Sequence, residues 1–191
     1  MPYISKKPQK EWQVKLQEEF PFMKRDMTAT DVPDNRWNLY QMFGFECGEG
    51  WSQLLHDLCQ EITDRYAEAD ILVDIVVEQV KEKFARLRFY YSFTDAPMKI
   101  HAFDSLTGGG IRFRPKADGE DEKRNQLRRD IAAIVDKYEE KSGEVCEKCG
   151  QQGTVRKDLL WIVTLCDTCY QEHLDTIKER TEKQPISDFL E

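Results

Sequence analysis

The chain has 191 residues, 40% of them hydrophobic, which is enough for one ordinary domain or for a core domain with a small metal-stapled module. Its formal charge of −8, from 36 acidic against 28 basic residues, excludes a protein that coats nucleic acid through bulk electrostatics, though not one with a local basic face. The start, Met1-Pro-Tyr-Ile-Ser-Lys-Lys7, lacks the apolar run of a signal peptide, and no later segment reaches the ~20 apolar residues of a membrane helix, so the expectation is a cytoplasmic protein with no membrane partner.

Residues 1–45 form an aromatic-rich N-terminal segment with a short helix expected over Glu11 to Phe20 and turn-forming residues around Thr28 to Asn35. Phe20, Phe22, Trp37, Tyr40, Phe43 and Phe45 read first as core packing and second as a partner-binding arm. After Gly48-Glu49-Gly50 the spacing predicts a helix: Trp51, Leu54, Leu55, Leu58, Cys59, Ile62 and Tyr66 recur at steps of three and four. His56 and Asp57 are adjacent on that helix and do not face one another, so they read as a solvated surface pair rather than an acid–base couple.

From Ile71 to Phe93 the period becomes strand-like, with a polar break at Lys81 to Arg86 that predicts a hairpin. In its second arm Leu87, Phe89, Tyr91 and Phe93 alternate with Arg86, Arg88, Tyr90 and Ser92, because successive strand side chains take opposite faces. Met98 to Phe103 and Ile111 to Arg114 read as two more strands around a Leu106 to Gly110 turn, giving a sheet of about four strands. Arg86, Arg88, Arg112 and Arg114, with Tyr90, would then share one face. That face reads first as a solvated surface paired with Glu78, Glu82 or the acidic helix downstream, and second as an anion-binding surface for phosphate, nucleic acid or an acidic protein. The next helix carries Leu127, Ile131, Ile134, Val135 and Tyr138 on one stripe and ends near Gly143.

Cys146-Glu-Lys-Cys149 and Cys166-Asp-Thr-Cys169 are two Cys-x-x-Cys pairs with sixteen residues between them, the spacing of a four-thiolate zinc site. This spacing puts structural Zn²⁺ ahead of free dithiols or a redox pair. Short strands are expected at Thr154 to Arg156 and Leu160 to Leu165, with an amphipathic helix after the second pair, the order of a treble-clef module; a zinc ribbon is the alternative. The complete thiolate set leaves His173 as a surface or supporting group, and Cys47 and Cys59 read as small apolar residues. No metalloprotease, phosphate-loop or nucleophile-elbow motif is present in the sequence, and Gly108-Gly109-Gly110 lacks a dinucleotide pattern.

The run Gly50-Trp-Ser-Gln-Leu-Leu-His-Asp-Leu-Cys59, the segment Val77-Glu-Gln-Val-Lys-Glu-Lys-Phe-Ala-Arg-Leu-Arg-Phe-Tyr90 and the two cysteine pairs together resemble a family of small uncharacterised proteins encoded by bacteria and their phages. The resemblance spans residues 45 to 175. Ala85 and Arg86 stand where a Gly-Gly turn is looked for in that segment. It implies a bacterial or phage origin and brings no established activity.

The fold expected is therefore α+β, a small antiparallel sheet packed against helices over residues 46–142, with a treble-clef or ribbon-like zinc module over 143–191. The expected function is zinc-stabilised, non-enzymatic engagement of a macromolecular partner, a protein first, with host and defence proteins among the candidates. Nucleic-acid binding through the arginine face and zinc module is the second reading, and a nuclease-like enzyme the third. Oligomeric state is not legible.

Overall fold

A computed structural model of the chain describes residues 8–26, 38–95 and 121–183. The expected strands at Met98 to Phe103 and Ile111 to Arg114, the glycine turn between them, and Trp37 lie outside the described residues. Those residues fold as an α+β protein with two small sheets.

The N-terminal helix α1 (Glu11–Glu19) buries Leu16, and Phe20 just beyond its end enters the same core. Asn38 starts α2 (Leu39–Phe43): its side-chain oxygen accepts the Gln41 N–H at 3.0 Å, and its amide donates to the Val77 carbonyl at 2.6 Å. At the other end of α2 the buried Arg25 guanidinium donates to the Gln41 and Met42 carbonyls at 2.9 and 3.1 Å, placing a cation where the helix dipole is negative. Gly44 then turns the chain at φ +71° into β1 (Phe45–Glu46), where Phe45 packs edge-on to Tyr40.

Helix α3 (Ser52–Glu68) buries Leu54, Leu55, Leu58, Cys59, Ile62 and Tyr66, the stripe its spacing predicts. This stripe lies in one core cluster with Val77, Val80, Leu87, Phe89, Tyr91 and Phe93 from the hairpin β2 (Ile75–Lys83) and β3 (Arg86–Phe93). The two strands pair antiparallel from Ile75↔Phe93 to Lys83↔Arg86, with a register shift between Val77 and Gln79. Glu78 falls at that bulge and accepts the Ser92 hydroxyl at 2.6 Å. Strand β1 adds parallel to β2, Phe45 opposite Val80, so the sheet is mixed in the order β1-β2-β3. A two-residue parallel strand is too short to show a period in sequence.

The hairpin turns on Phe84 and Ala85, at φ +52° and +61°. Two-residue hairpins of this kind favour Asn-Gly or Gly-Gly, because both positions are left-handed. One local and one tertiary contact hold the turn instead. The Ala85 N–H donates to Glu82 Oε1 at 2.7 Å and its carbonyl accepts the Thr164 hydroxyl at 2.8 Å.

Helix α4 (Glu122–Lys141) packs Leu127, Ile131, Ile134, Val135 and Tyr138 into the same core, beside α3 and β3. Arg65 of α3 forks onto Asp130 at 2.9 and 2.7 Å, and Arg124 reaches Asp74 at 2.6 Å. Along the first half of β3 the outer edge is met by this region: Phe89 N–H donates to Glu139 Oε1 at 2.9 Å and Leu87 N–H to Ser142 Oγ at 2.8 Å. A strand edge is thus satisfied by two side chains, both buried.

Glu139→Ala leaves the Phe89 N–H and the Arg88 guanidinium without this acceptor, and unmade buried hydrogen bonds of this type cost about 2 kcal/mol. Urea unfolding will show that loss, and Glu139→Gln, which keeps a side-chain carbonyl, will lose less.

Candidate metal centre

The last third of the described chain is built around cysteines. After α4 a 3₁₀ turn (Ser142–Glu144) leads to Val145, which bridges Gln152, and the chain between them folds back on itself. Cys146 N–H donates to the Gln151 carbonyl at 2.7 Å, Gly150 N–H donates to the Cys146 carbonyl at 2.8 Å, and Gly150 sits at φ +80°. Cys146 and Cys149 are thereby placed on one tight turn. The hairpin β4 (Thr154–Arg156) and β5 (Val163–Leu165) follows, then α5 (Asp167–Lys183). Cys166 stands immediately before α5. Its carbonyl accepts the Tyr170 N–H at 2.9 Å, and its sulfur lies 3.4 Å from the Cys169 N–H in the first helical turn. A sulfur at a helix N-terminus meets first-turn N–H groups that can donate to it.

These elements bring the four sulfurs of Cys146, Cys149, Cys166 and Cys169 within 4.8 Å of one another, so that they could share one metal ion. Cys149 Sγ and Cys166 Sγ are 3.6 Å apart. Cys146 and Cys169 are buried, Cys166 is half-buried and Cys149 is exposed. Burial pushes the Cys146 thiol up, but the backbone N–H groups of Cys166, Cys149 and Lys148 outweigh it and bring that thiol down to about 7. Cys169 moves the other way, raised by burial and by the neighbouring sulfurs. Four sulfurs this close cannot all ionise unaided, since each thiolate opposes the next; a cation in their midst removes the conflict.

The site leans on the core. Gly50 N–H donates to the Glu147 carbonyl at 2.8 Å, Gly48 N–H to Glu147 Oε1 at 2.8 Å, and the buried Trp51 indole to the Val145 carbonyl at 2.8 Å. The approach leaves no room for side chains: a Cβ on Gly50 would stand 2.2 Å from the Cys146 carbonyl oxygen and 2.7 Å from the Cys149 nitrogen, and one on Gly48 2.3 Å from the Glu147 carbonyl oxygen. On the opposite side Thr164 holds the Phe84-Ala85 turn, and Trp161 Nε1 donates to Glu82 Oε2 at 3.1 Å. Sequence reading placed Gly48 to Gly50 before a helix and missed its contact with the cysteine turn. Two glycines a residue apart ahead of a buried Trp were the available signal.

The remaining expected site residues are placed as follows. Arg86 donates to the Glu140 carbonyl, and Arg88 lies 3.6 Å from Glu139 with a guanidinium bond to its own neighbour Leu87 at 3.2 Å. Tyr90 carries the Lys81 ammonium 5.4 Å above its ring. Arg112 and Arg114 lie outside the described residues, as does His101. His56 and Asp57 are half-buried rather than fully solvated, His56 lying 3.1 Å from Glu19 and 3.7 Å from Asp57, and His173 is exposed on α5 outside the four-sulfur group. Cys59 is in the core and Cys47 is half-buried against it, with burial raising both thiols. No helix among the described residues is long and apolar enough to cross a membrane.

No family model, curated protein or solved structure matches this chain. The class that the fold and site define is thus an α+β protein with a four-cysteine candidate metal centre.

Gly50→Ala keeps all four cysteines yet forces the Cys146–Gly150 turn aside, at an overpacking cost of about 1–3 kcal/mol. Elemental analysis of the purified variant will find metal content well below wild type, with a lower melting temperature.

Proposed function

We propose that the four cysteines hold one structural Zn²⁺ and that the chain works as a binding protein, engaging a protein partner rather than catalysing a reaction. The observation that carries this reading is the four-sulfur cluster itself. With Zn–S bonds of about 2.3 Å a tetrahedral tetrathiolate site has S–S edges of about 3.8 Å, and the Cys149–Cys166 separation of 3.6 Å fits that edge. A soft, all-sulfur tetrahedral set favours zinc over hard cations. Four protein ligands also leave no position for an activated water, so the ion braces the fold and supplies no Lewis-acid chemistry.

The order of parts supports a treble-clef module: a cysteine turn closed by Gly150, the β4–β5 hairpin, then a helix with Cys166 at its cap and Cys169 in its first turn. The hairpin loop offers the contact surface. Leu160 is fully exposed and Trp161 is 63% exposed, while the loop around them is anchored. Tyr170 donates to Asp158, Arg156 stacks 4.5 Å over the Tyr170 ring, and Leu159 packs against the cysteine cluster. A Trp presented on an anchored loop is the residue type enriched among the anchors of protein interfaces, and the exposed Leu160 beside it extends the apolar surface. Engagement of Arg86 and Arg88 with α4 puts a protein ahead of nucleic acid as the partner. A bacterial or phage accessory role rests on the resemblance carried by the Gly-Trp helix, the Val77 to Tyr90 segment and the cysteine pairs.

Purified protein will carry about one zinc per chain, and Cys149→Ser will lose it and partly unfold the C-terminal third. In pull-downs from bacterial host lysate, a Leu160→Ser/Trp161→Ser variant will keep its zinc and lose the partner that wild type captures. Recovery of nucleic acid in place of protein, with affinity falling steeply as salt is added, would overturn the protein reading.

A further inference from the structure

The four sulfurs are unequally protected. Cys146 and Cys169 are buried, whereas Cys149 is exposed and Cys166 half-buried, and these two form a 3.6 Å edge at the open side of the cluster. That edge joins the two Cys-x-x-Cys pairs rather than lying within either one. A disulfide between them requires the sulfurs to close to about 2.05 Å. The backbone of Cys149 is also the floor on which Gly50 rests, its nitrogen being 2.7 Å from where a Gly50 Cβ would stand. Cys166 directly follows β5, whose Thr164 holds the Phe84-Ala85 turn and whose preceding loop carries Leu160 and Trp161.

We infer that the centre is redox-sensitive: a peroxide oxidises the Cys149–Cys166 edge to a disulfide, which releases the metal and loosens the contacts of the cysteine turn and hairpin with the core. The inference rests on the zinc reading above and adds regulation to the same site. In the first step the exposed Cys149 thiolate attacks one oxygen of hydrogen peroxide; the O–O bond breaks, Cys149 becomes a sulfenic acid, and the departing hydroxide takes a proton from solvent. The Cys166 thiolate then attacks the Cys149 sulfur, the S–S bond forms, and a second hydroxide leaves and is protonated. Two thiolates are oxidised by one electron pair in all, one peroxide is reduced to two waters, and two protons come from solvent. Cys146 and Cys169 alone supply half of a four-coordinate shell, so the ion departs.

Exposure explains the choice of sulfur. Cys59 is buried in the core and Cys47 is half-buried against it, whereas Cys149 is exposed, so Cys149 is the sulfur that meets oxidant first. The loss of metal reaches the partner-binding loop because that loop and the Cys166 ligand flank the same short strand.

The test is a stepwise hydrogen peroxide titration of the reduced, zinc-loaded full chain, with released zinc followed by a chromogenic chelator and the protein followed by intact mass and peptide mapping. The expected result is zinc released in proportion to a mass decrease of two hydrogens per chain, a cross-linked peptide joining Cys149 to Cys166, and renewed uptake of zinc after reductant and fresh zinc. A disulfide within one pair, a disulfide through Cys47, or oxygen adducts without a disulfide would each overturn the inference. Zinc retained throughout the titration overturns it too and leaves the zinc reading standing. A chain that takes up no zinc on reconstitution overturns both.

Discussion

The backbone of Gly48 to Gly50 runs so close to the Cys146–Gly150 turn that hydrogen atoms are the largest groups the gap accepts at Gly48 and Gly50. Most of the architecture depends on this contact. It fixes where α3 begins, since Trp51 follows at once and spends its indole N–H on Val145, and it fixes the cysteine turn from outside, since Glu147 gives both its carbonyl and its carboxylate to the glycine N–H groups. The cysteine turn and the core helix are therefore coupled, and a free-energy change at one is felt at the other. Burial raises the Glu147 carboxyl, with the Gly48 N–H acting against that shift. In its ionised form this carboxylate makes the stronger hydrogen bond to Gly48, so the contact is firmest once the carboxyl has lost its proton.

Helices α3 and α4 were legible because each buries a stripe at steps of three and four along a solvated element, and such a stripe is written into local spacing. The β2–β3 hairpin was legible for the parallel reason, its alternation of Leu87, Phe89, Tyr91 and Phe93 with polar neighbours. The cysteine pairs announced their proximity through spacing alone. What escaped was set largely by side-chain hydrogen bonds that leave no mark in the hydrophobic pattern. Phe84-Ala85 carries none of the glycine that a left-handed two-residue turn favours, and its conformation is held by Glu82 on one side and by Thr164 on the other. The outer edge of β3 is closed along Leu87 to Phe89 by Ser142 and Glu139, side chains of a helical region whose own pattern gave no sign of that use.

The arginines show the same limit from another side. Alternation placed Arg86 and Arg88 away from the apolar face, and both reach the end of α4. Period says which way a side chain points, while the choice between a counter-ion within the chain and one on a ligand is made by tertiary position. Arg65 with Asp130 and Arg124 with Asp74 follow the same rule, as links between elements that no local pattern reveals.

The scale of the cysteine region explains why a metal suits it. The main core draws on α1, α3, the β2–β3 hairpin and α4, whereas the second cluster consists of Cys146, Leu165 and Cys169 with Leu159, Val163, Cys166 and Tyr170 beside them. So small an apolar set buries too little surface to offset the conformational entropy of ordering a turn, a hairpin and a helix start. Coordination of one metal by the four cysteines, as proposed above, would supply what burial does not, at the points where the three pieces meet. The exposed Leu160 and Trp161 stand on the loop of that hairpin, braced by Tyr170 and Arg156 on one side and by Glu82 on the other. Their presentation is therefore tied to the four-cysteine cluster, and a surface held this way can be rigid without a large core beneath it.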